Sequence, residues 1–415
     1  MLKNYLMMAL SVYRKRKMFT FINLMCIVLT LVVLLVVTAM LEQNFSPSGV
    51  LAKNGDRVLT VTTLTKYGKG SVWTTNLGYK LIDQYLRPMQ NVELVSAVSS
   101  QNPIAIYRDD AVHKSTIRYT DANFWKILDF RSLSGRWFDD VEVNKGGSYV
   151  VLSGSAEKKI FGNRSALGEK LNIGSRQYEV IGVVEDASRF SADLWAPYTT
   201  MPTSEYRTSL TGDFNAILLA KNATSLIDLK KEVIQVSKSV KQDDPVKWPK
   251  TQMLANTSFD EFARGFISAN SDNPEAPEDS GAAAVISWIV VTMFLFMLLP
   301  ALNLVNLNMG RMKERSVEIG VRKAYGACNW ELIGQFLFEN LLLNLSACVL
   351  SLILLEIFFI WLRLSGLIPY YRGSVNLTIF FYGVLISTIF SLVSGILPAW
   401  RMARLDPVHA LKGNA

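Results

Sequence analysis

The chain has 415 residues, half of them hydrophobic, and its mean hydropathy is positive, which excludes an ordinary soluble protein and leaves room for two or three domains. Its net charge of +8 does not describe a nucleic-acid surface. Residues 42–281 hold 28 Lys+Arg against 29 Asp+Glu, so the basic excess lies in the apolar flanks, the positive-inside pattern of a membrane protein. Three cysteines, all outside 42–281, and two histidines exclude a disulfide framework in the polar region and a His-based metal or catalytic cluster.

In chain order, residues 1–17 carry Leu2, Leu6, Ala9, Leu10 and Tyr13 at helical spacing before Arg14-Lys15-Arg16-Lys17. This predicts an amphipathic helix on the cytoplasmic face with a basic anchor. Residues 18–41 are 24 residues without a charge. A spanning helix needs about 20 and a cleavable leader about 7–15, so a retained first transmembrane helix is predicted, with the N-terminus inside. Residues 42–281 then form one polar, extracytoplasmic domain. Val58–Thr63 and Val92–Val98 read as strands around a helix at Gly78–Leu86, and Ala216–Leu219 and Leu226–Val236 as a strand and a helix. Between them, about 104–205, lies a segment rich in strands, including Gly147–Ser153 and Gln177–Val184, with a helix at Ser155–Phe161 stopped by Gly162. The fold class expected is an α-helical membrane protein with four transmembrane helices and a large α+β extracytoplasmic domain.

No catalytic constellation stands out in that domain. The acidic pairs Asp109-Asp110, Asp139-Asp140, Glu185-Asp186 and Asp243-Asp244 are adjacent, and strand neighbours point to opposite faces. Trp125, Trp137 and Trp195 are expected to pack in the core or between lobes. No Gly-rich phosphate loop occurs, so no nucleotide, metal or other cofactor is expected in this chain.

A second span is predicted at 282–309, with Pro300 placed to kink it. Residues 310–331 form a charged cytoplasmic loop. On a helix Val317, Val321 and Ala324 make one stripe with Ile319 at its edge, while Arg315, Glu318 and Arg322 make a neighbouring charged face beside Lys323; Gly320 falls within and Gly326 is a stop. By residue type alone this is a solvated loop or an amphipathic helix that docks on a soluble partner. The third span is 332–364, with Asn329 placed to cap it and Glu339 and Glu356 as intramembrane acids of candidate function; Arg363 is two turns from Glu356 and sufficient to pair it. An outer loop at 365–375, a fourth span at 376–400 and a cytoplasmic tail at 401–415 complete the chain, with Pro398, Arg401, Arg404, Asp406 and Pro407 at the last junction.

Glu318-Ile319-Gly320-Val321-Arg322-Lys323-Ala324-Tyr325-Gly326-Ala327 resembles the E-I-G-x-R-K-A-x-G-A signature of MacB-like, FtsX-like (type VII) ABC transporter permeases. Residues 398–412 are similar to that family's P-A-x-R-A-A-R-x-D-P-x-x-A-L-[RK] ending. Thr120–Trp125, Leu133–Phe138, Lys159–Asn163, Ala166–Leu171 and Gln177–Val184 follow its D-x-x-F, G-R-x-F, a-x-x-l-F-G, l-G-x-x-i and V-x-G-V landmarks in order. The resemblance implies a porter-like lobe with an inserted β-rich lobe, and a coupling helix at 317–326 that fits a groove on the ATPase. It implies a dimer with a second permease copy or paralogue, and in some relatives a periplasmic adaptor or an outer-membrane channel. The ATPase, with its ATP and Mg, is expected on a separate polypeptide, since the stretch before Met18 leaves no room for it. The location implied is the bacterial inner membrane, multi-pass, with both termini cytoplasmic. The function implied is export or extraction of an antimicrobial compound, peptide, lipoprotein or lipid. The alternative is an FtsX-like signalling permease that regulates a cell-wall hydrolase without moving substrate. Prolines at 47, 274 and 277 break the long helical stalks that the family often carries.

Overall fold

A computed structural model of the protein describes residues 13–14, 17–45, 49–108, 111–241, 244–267, 279–314, 321, 325, 328–365 and 375–403. The chain divides into two compact units, Met1–Asn44 with Ile286–Ala415, and Phe45–Val285.

Helix α1 (Lys17–Phe45) leads into the second of these, the sheet unit, and stops before Pro47. The first part of the sheet unit is β1 (Val58–Val61), β2 (Thr63–Gly68), β3 (Ser71–Asn76), α2 (Tyr79–Leu81, widening to a π turn at Ile82–Leu86) and β4 (Val92–Ser99). Then come β5 (Asn102–Arg108), β6 (Ala111–Thr120), α3 (Asn123–Ile127), β7 (Ser132–Gly135), α4 (Asp140–Asn144), β8 (Tyr149–Ser153) and α5 (Gly154–Phe161). The unit ends with β9 (Lys170–Ile173), β10 (Arg176–Val184), β11 (Leu194–Pro197), β12 (Phe214–Ala220), α6 (Leu226–Ser239), β13 (Lys250–Met253) and α7 (Ser258–Phe266). Three helices follow: α8 (Ala282–Glu314), α9 (Asn329–Ser365) and α10 (Leu377–Ala403).

Six strands of the expected insertion close on themselves. The pairings β6–β11, β11–β8, β8–β10, β10–β9, β9–β5 and β5–β6 form a ring, with β7 added to β10. Closure gives each strand of the ring two partners, so no member is left as an open edge. A flank of three strands, β4-β12-β1, joins this ring through β4 and β6 at the single residue pair Val98–Thr120. The interior is one apolar cluster in which Trp195, Tyr178, Phe124, Phe138 and Phe214 are fully buried. A separate three-stranded sheet has the order β13-β2-β3.

Several local expectations are corrected. Val58–Thr63 is not one strand: the chain breaks at Thr62, because β1 belongs to the large sheet and β2 to the small one. Asp139 and Asp140 are not strand neighbours but open α4. Asp139 caps it, accepting from the Glu142 N–H at 2.8 Å while Glu142 accepts from the Asp139 N–H at 3.1 Å, and Asp140 pairs with Lys126 at 2.7 Å. Asn329 is the first residue of α9; the cap position is Cys328, whose N–H donates to Glu331 at 3.3 Å. Trp137 is more than a third exposed and stacks on buried Trp125, with centroids 5.8 Å apart, whereas Trp195 is fully buried.

Two of the recurrent sequence landmarks meet at one point. Gly135 of the G-R-x-F stretch lies opposite Gly182 of the V-x-G-V stretch in the β7–β10 pair, and the Arg136 N–H donates to the Ile181 carbonyl at 2.9 Å. A Cβ on Gly182 would fall onto the Arg136 carbonyl, whereas one on Gly265 in α7 would meet open space. Gly182→Ala is therefore predicted to cost about 1–3 kcal/mol through overpacking, and Gly265→Ala to gain up to about 1 kcal/mol from helix propensity. Thermal melts of the two purified variants check this; equal midpoints would mean that the close approach of β7 and β10 is not required.

Candidate functional site

Within the coupling segment expected at 317–326, Val321 is a described residue, as is Tyr325 beside it. The Tyr325 N–H donates to the Val321 carbonyl at 3.1 Å, one turn of helix, and the two side chains are 41% and 90% exposed. Val317, Glu318, Ile319, Gly320, Arg322, Lys323, Ala324 and Gly326 lie outside the described residues, as do Arg404, Asp406 and Pro407. Pro398 and Arg401 lie on α10.

The helical unit packs through apolar faces. Ile27, Val28 and Leu31 of α1 meet Leu343, Ala347 and Cys348 of α9, and Leu35 and Ala39 meet Leu355, Phe359 and Leu362. Among the described residues three helical stretches are long and apolar enough to cross a membrane: Thr20–Glu42, Ile333–Ser365 and Leu377–Ile396. A fourth, Ala282–Leu298, is apolar but shorter, within the longer helix α8.

Polar groups fasten these faces at set points. Buried Asn344 of α9 accepts from Ser387 at 2.6 Å and donates to Thr388 at 3.0 Å, both on α10, so one amide uses both its ends across a helix pair. The neighbouring Asn340 amide lies against Gly395, where a Cβ would be 2.6 Å from its nitrogen. Asn376 caps α10, accepting from the Thr378 N–H at 2.9 Å, and donates to Glu42 near the end of α1. Of the two intramembrane acids, Glu339 is buried; its carboxylate accepts from Gln335 at 3.3 Å and its main-chain carbonyl from the Tyr13 hydroxyl at 2.6 Å. Glu356 is 4.0 Å from Arg363, both half exposed, so these two remain a local pair on the helix surface.

The sequence reading missed a joint in the sheet unit, built on α7. Its start is a reciprocal cap: Thr257 accepts from the Asp260 N–H at 3.1 Å, and Asp260 accepts from the Thr257 N–H at 2.9 Å. Phe259 and Phe262 pack on Phe45, the last residue of α1, with centroids 5.1 and 4.9 Å away. On the polar side, Asp260 receives Lys230 of α6 at 2.5 Å and Ser280, two residues before α8, at 2.6 Å. Glu261 accepts from Thr60 of β1 at 2.5 Å and pairs with Arg189 at 3.3 Å. One short helix thus holds both chain segments that lead to the helical unit, together with a strand and a helix of the sheet unit. The signal for it was present in Thr257–Asp260 and in phenylalanines at 259, 262 and 266.

Burial alone would push the Asp260 carboxyl up, but donors from Lys230, Ser280 and Thr257 outweigh it and hold it at about 2. The folded value lies below the ordinary one, so this stabilisation is complete above about pH 4 and is lost as pH falls towards 2; it is on the order of 2 kcal/mol. Asp260→Asn is predicted to be less stable than the parent by roughly that amount at pH 7, with the gap closing between about pH 4 and 2. Urea unfolding followed by tryptophan fluorescence measures it, and a gap independent of pH would show that the carboxylate is not what holds the joint.

These features define a membrane protein of several apolar helices that carries one large sheet-rich unit between its first and second long helices. A family model described as the MacB-like periplasmic core domain matches residues 20–236, and one described as the FtsX-like permease C-terminal matches residues 290–407. The chain belongs to this MacB-like, FtsX-like family of ABC transporter permeases. It is 24% identical over 333 residues to the uncharacterized ABC transporter permease YknZ of Bacillus subtilis (strain 168), covering 79% of this chain and 77% of that one. It is 23% identical over 418 residues to the macrolide export ATP-binding/permease protein MacB of Vibrio parahaemolyticus serotype O3:K6, covering 98% of this chain and 59% of that one. The chain spans about half the length of the MacB relatives it matches. Among solved structures it is similar to the periplasmic region of MacB from Actinobacillus actinomycetemcomitans, at 19% identity and a TM-score of 0.41, covering 53% of this chain and 96% of that one.

Proposed function

We propose that the chain is a permease subunit that spans the bacterial cytoplasmic membrane four times and couples ATP hydrolysis on a separate ATPase to movement of its extracytoplasmic unit. The observation that carries this reading is the exposed helical turn Val321–Tyr325, set between α8 and α9 and within the matched permease segment. An apolar side chain presented on a turn between two long apolar helices suits a groove on a soluble partner. Val317, Val321 and Ala324 are the contact stripe, and Glu318, Arg322 and Lys323 its rim. Gly320 and Gly326 allow close approach and a turn into the third span. The segment that carries Pro398, Arg401, Arg404, Asp406 and Pro407 faces the same side of the membrane. The active assembly is a dimer of permeases, as copies or paralogues, on an ATPase pair, and its cargo is a compound exported or extracted at the outer face. The ATP and Mg are held by the ATPase.

Docking is tested at Val321. Val321→Asp buries an unpaired charge in the contact, a cost of about 3–5 kcal/mol, and is predicted to abolish co-purification with the ATPase and stimulation of its turnover. Glu318→Lys, at the rim, has the smaller effect. If Val321→Asp leaves both readouts intact in a well-expressed protein, the segment is a solvated loop.

Topology is tested by labelling. Asn54 is unsuitable as an outer reporter, because it is buried and donates to the Ile127 carbonyl at 2.8 Å, but neighbouring Lys53 is exposed. In a background lacking Cys26, Cys328 and Cys348, Lys53→Cys is predicted to react with an impermeant thiol reagent added to intact cells and Tyr325→Cys only after permeabilisation. Equal reaction from outside would reject the four-span arrangement.

A further inference from the structure

The three-stranded sheet β13-β2-β3 ends on an open side. β2 is the only strand paired with β3 among the described residues. The pair Gly68–Ser71 closes the two-residue turn Lys69-Gly70, with Gly70 at φ +73°, and fixes the hydrogen-bonding phase of the hairpin. In that phase Ser71, Trp73 and Thr75 bond to β2, so the N–H and C=O groups of Val72 and Thr74 point away from the sheet. Natural edges are blunted with charge, proline or a bulge. β3 reads Ser-Val-Trp-Thr-Thr-Asn, with neither charge nor proline, and runs in unbroken register. Ser71, Val72, Trp73 and Thr74 are all exposed.

The surface beside this edge is aromatic and basic. Trp73 sits 6.3 Å from Trp248, centroid to centroid. Lys247, 5.4 Å from the Trp248 ring, and Lys69 in the turn are exposed, whereas Lys66 is buried beneath the Trp73 ring at 5.1 Å and Lys250, 5.6 Å from Tyr67, lies on β13 at the far side of the sheet. Residues 62–77 and 244–255 together carry Lys66, Lys69, Lys247 and Lys250 against one acid, Asp244, which caps the turn at Lys247 at 3.0 Å. A ligand held here needs a free strand edge of its own and negative charge. A second copy of the chain supplies the first but brings the same lysines against themselves.

We propose that β3 is a docking edge for an extended, acidic polypeptide segment of a partner protein, which adds as a fourth strand to this sheet. Val72 and Thr74 supply the main-chain bonds, the two indoles the apolar contact, and Lys69 and Lys247 the charge complement. This goes beyond the permease reading and stands or falls independently of it, since it involves no ATPase.

The test uses the full chain in detergent and a fluorescein-labelled acetyl-(Glu-Val)4 amide, followed by fluorescence anisotropy. Saturable binding is expected, with weak or no binding of the matching (Lys-Val)4 peptide. Val72→Pro removes an outward N–H and leaves the β2–β3 bonds in place, so it should weaken binding about tenfold or more without lowering the thermal midpoint. Lys69→Glu with Lys247→Glu should weaken the acidic peptide and favour the basic one. N-methylating alternate residues of the peptide, which needs no change in the protein, should also abolish binding. No saturable binding of the acidic peptide, equal binding of the basic one, or indifference to N-methylation overturns the proposal. So does a disulfide between copies carrying Thr74→Cys that forms in place of peptide binding, which would make the edge a self-contact.

Discussion

The carboxylate of Asp260 and the ring of Phe45 fasten the two ends of the sheet unit to one short helix. Both chain segments leading to the helical unit end on α7, one by aromatic packing and one by a charged hydrogen bond. The two attachments differ in kind. Packing of Phe45 on Phe259 and Phe262 is broad and non-directional, whereas the Asp260 contacts are short and directional and converge on one group. Lys230 ties α6 to this helix, and Thr60 ties β1 to it through Glu261.

The helical unit follows the same logic with other groups. Its apolar faces provide contact area but little selection of register, since lipid is as apolar as the partner helix. Selection falls to a few polar atoms: Asn344 between Ser387 and Thr388, Asn376 on Glu42, and the Tyr13 hydroxyl on the Glu339 carbonyl. A one-residue slip of α10 against α9 would strand the Asn344 amide, whose two ends are both in use. The Gly395 backbone, close against Asn340, sets a second mark in the same helix pair.

Much of this was legible in the sequence. The charge-free run at 18–41 and the apolar run at 332–364, interrupted by Glu339, Glu356 and Arg363, emerged as helices because apolar composition of that length has no other stable form in a bilayer. Strands at 92–99, 176–184 and 214–220 showed because short β-branched runs bounded by polar residues read directly as buried strands. The landmarks around Gly135 and Gly182 were visible as letters, but their shared reason, two backbones in near contact, requires the pairing of β7 with β10. The closure of six strands into a ring was out of reach, since it depends on partners such as Ile106 and Ile173 that are distant in the chain. The α7 joint was missed for a related cause. Its short-range cap at Thr257–Asp260 could be read locally, but Lys230 and Phe45, which give it a purpose, are far away in sequence. Asp139-Asp140 misled because adjacent acids look alike at the head of a helix and along a strand.

The ring of strands meets its flanking sheet at one residue pair, Val98 with Thr120, and the chain enters and leaves it by neighbouring strands, β4 to β5 on one side and β11 to β12 on the other. A segment with that geometry is a cassette. Its independence is confined to the strand ladder: the apolar cluster is shared across the boundary, and Arg189 pairs with Glu261 of α7 at 3.3 Å while Asp121 accepts from Ser96 of β4 at 2.7 Å. A change of length within residues 102–197 can therefore spare the β4-β12-β1 ladder, but it must keep the side chains that fill the common apolar cluster.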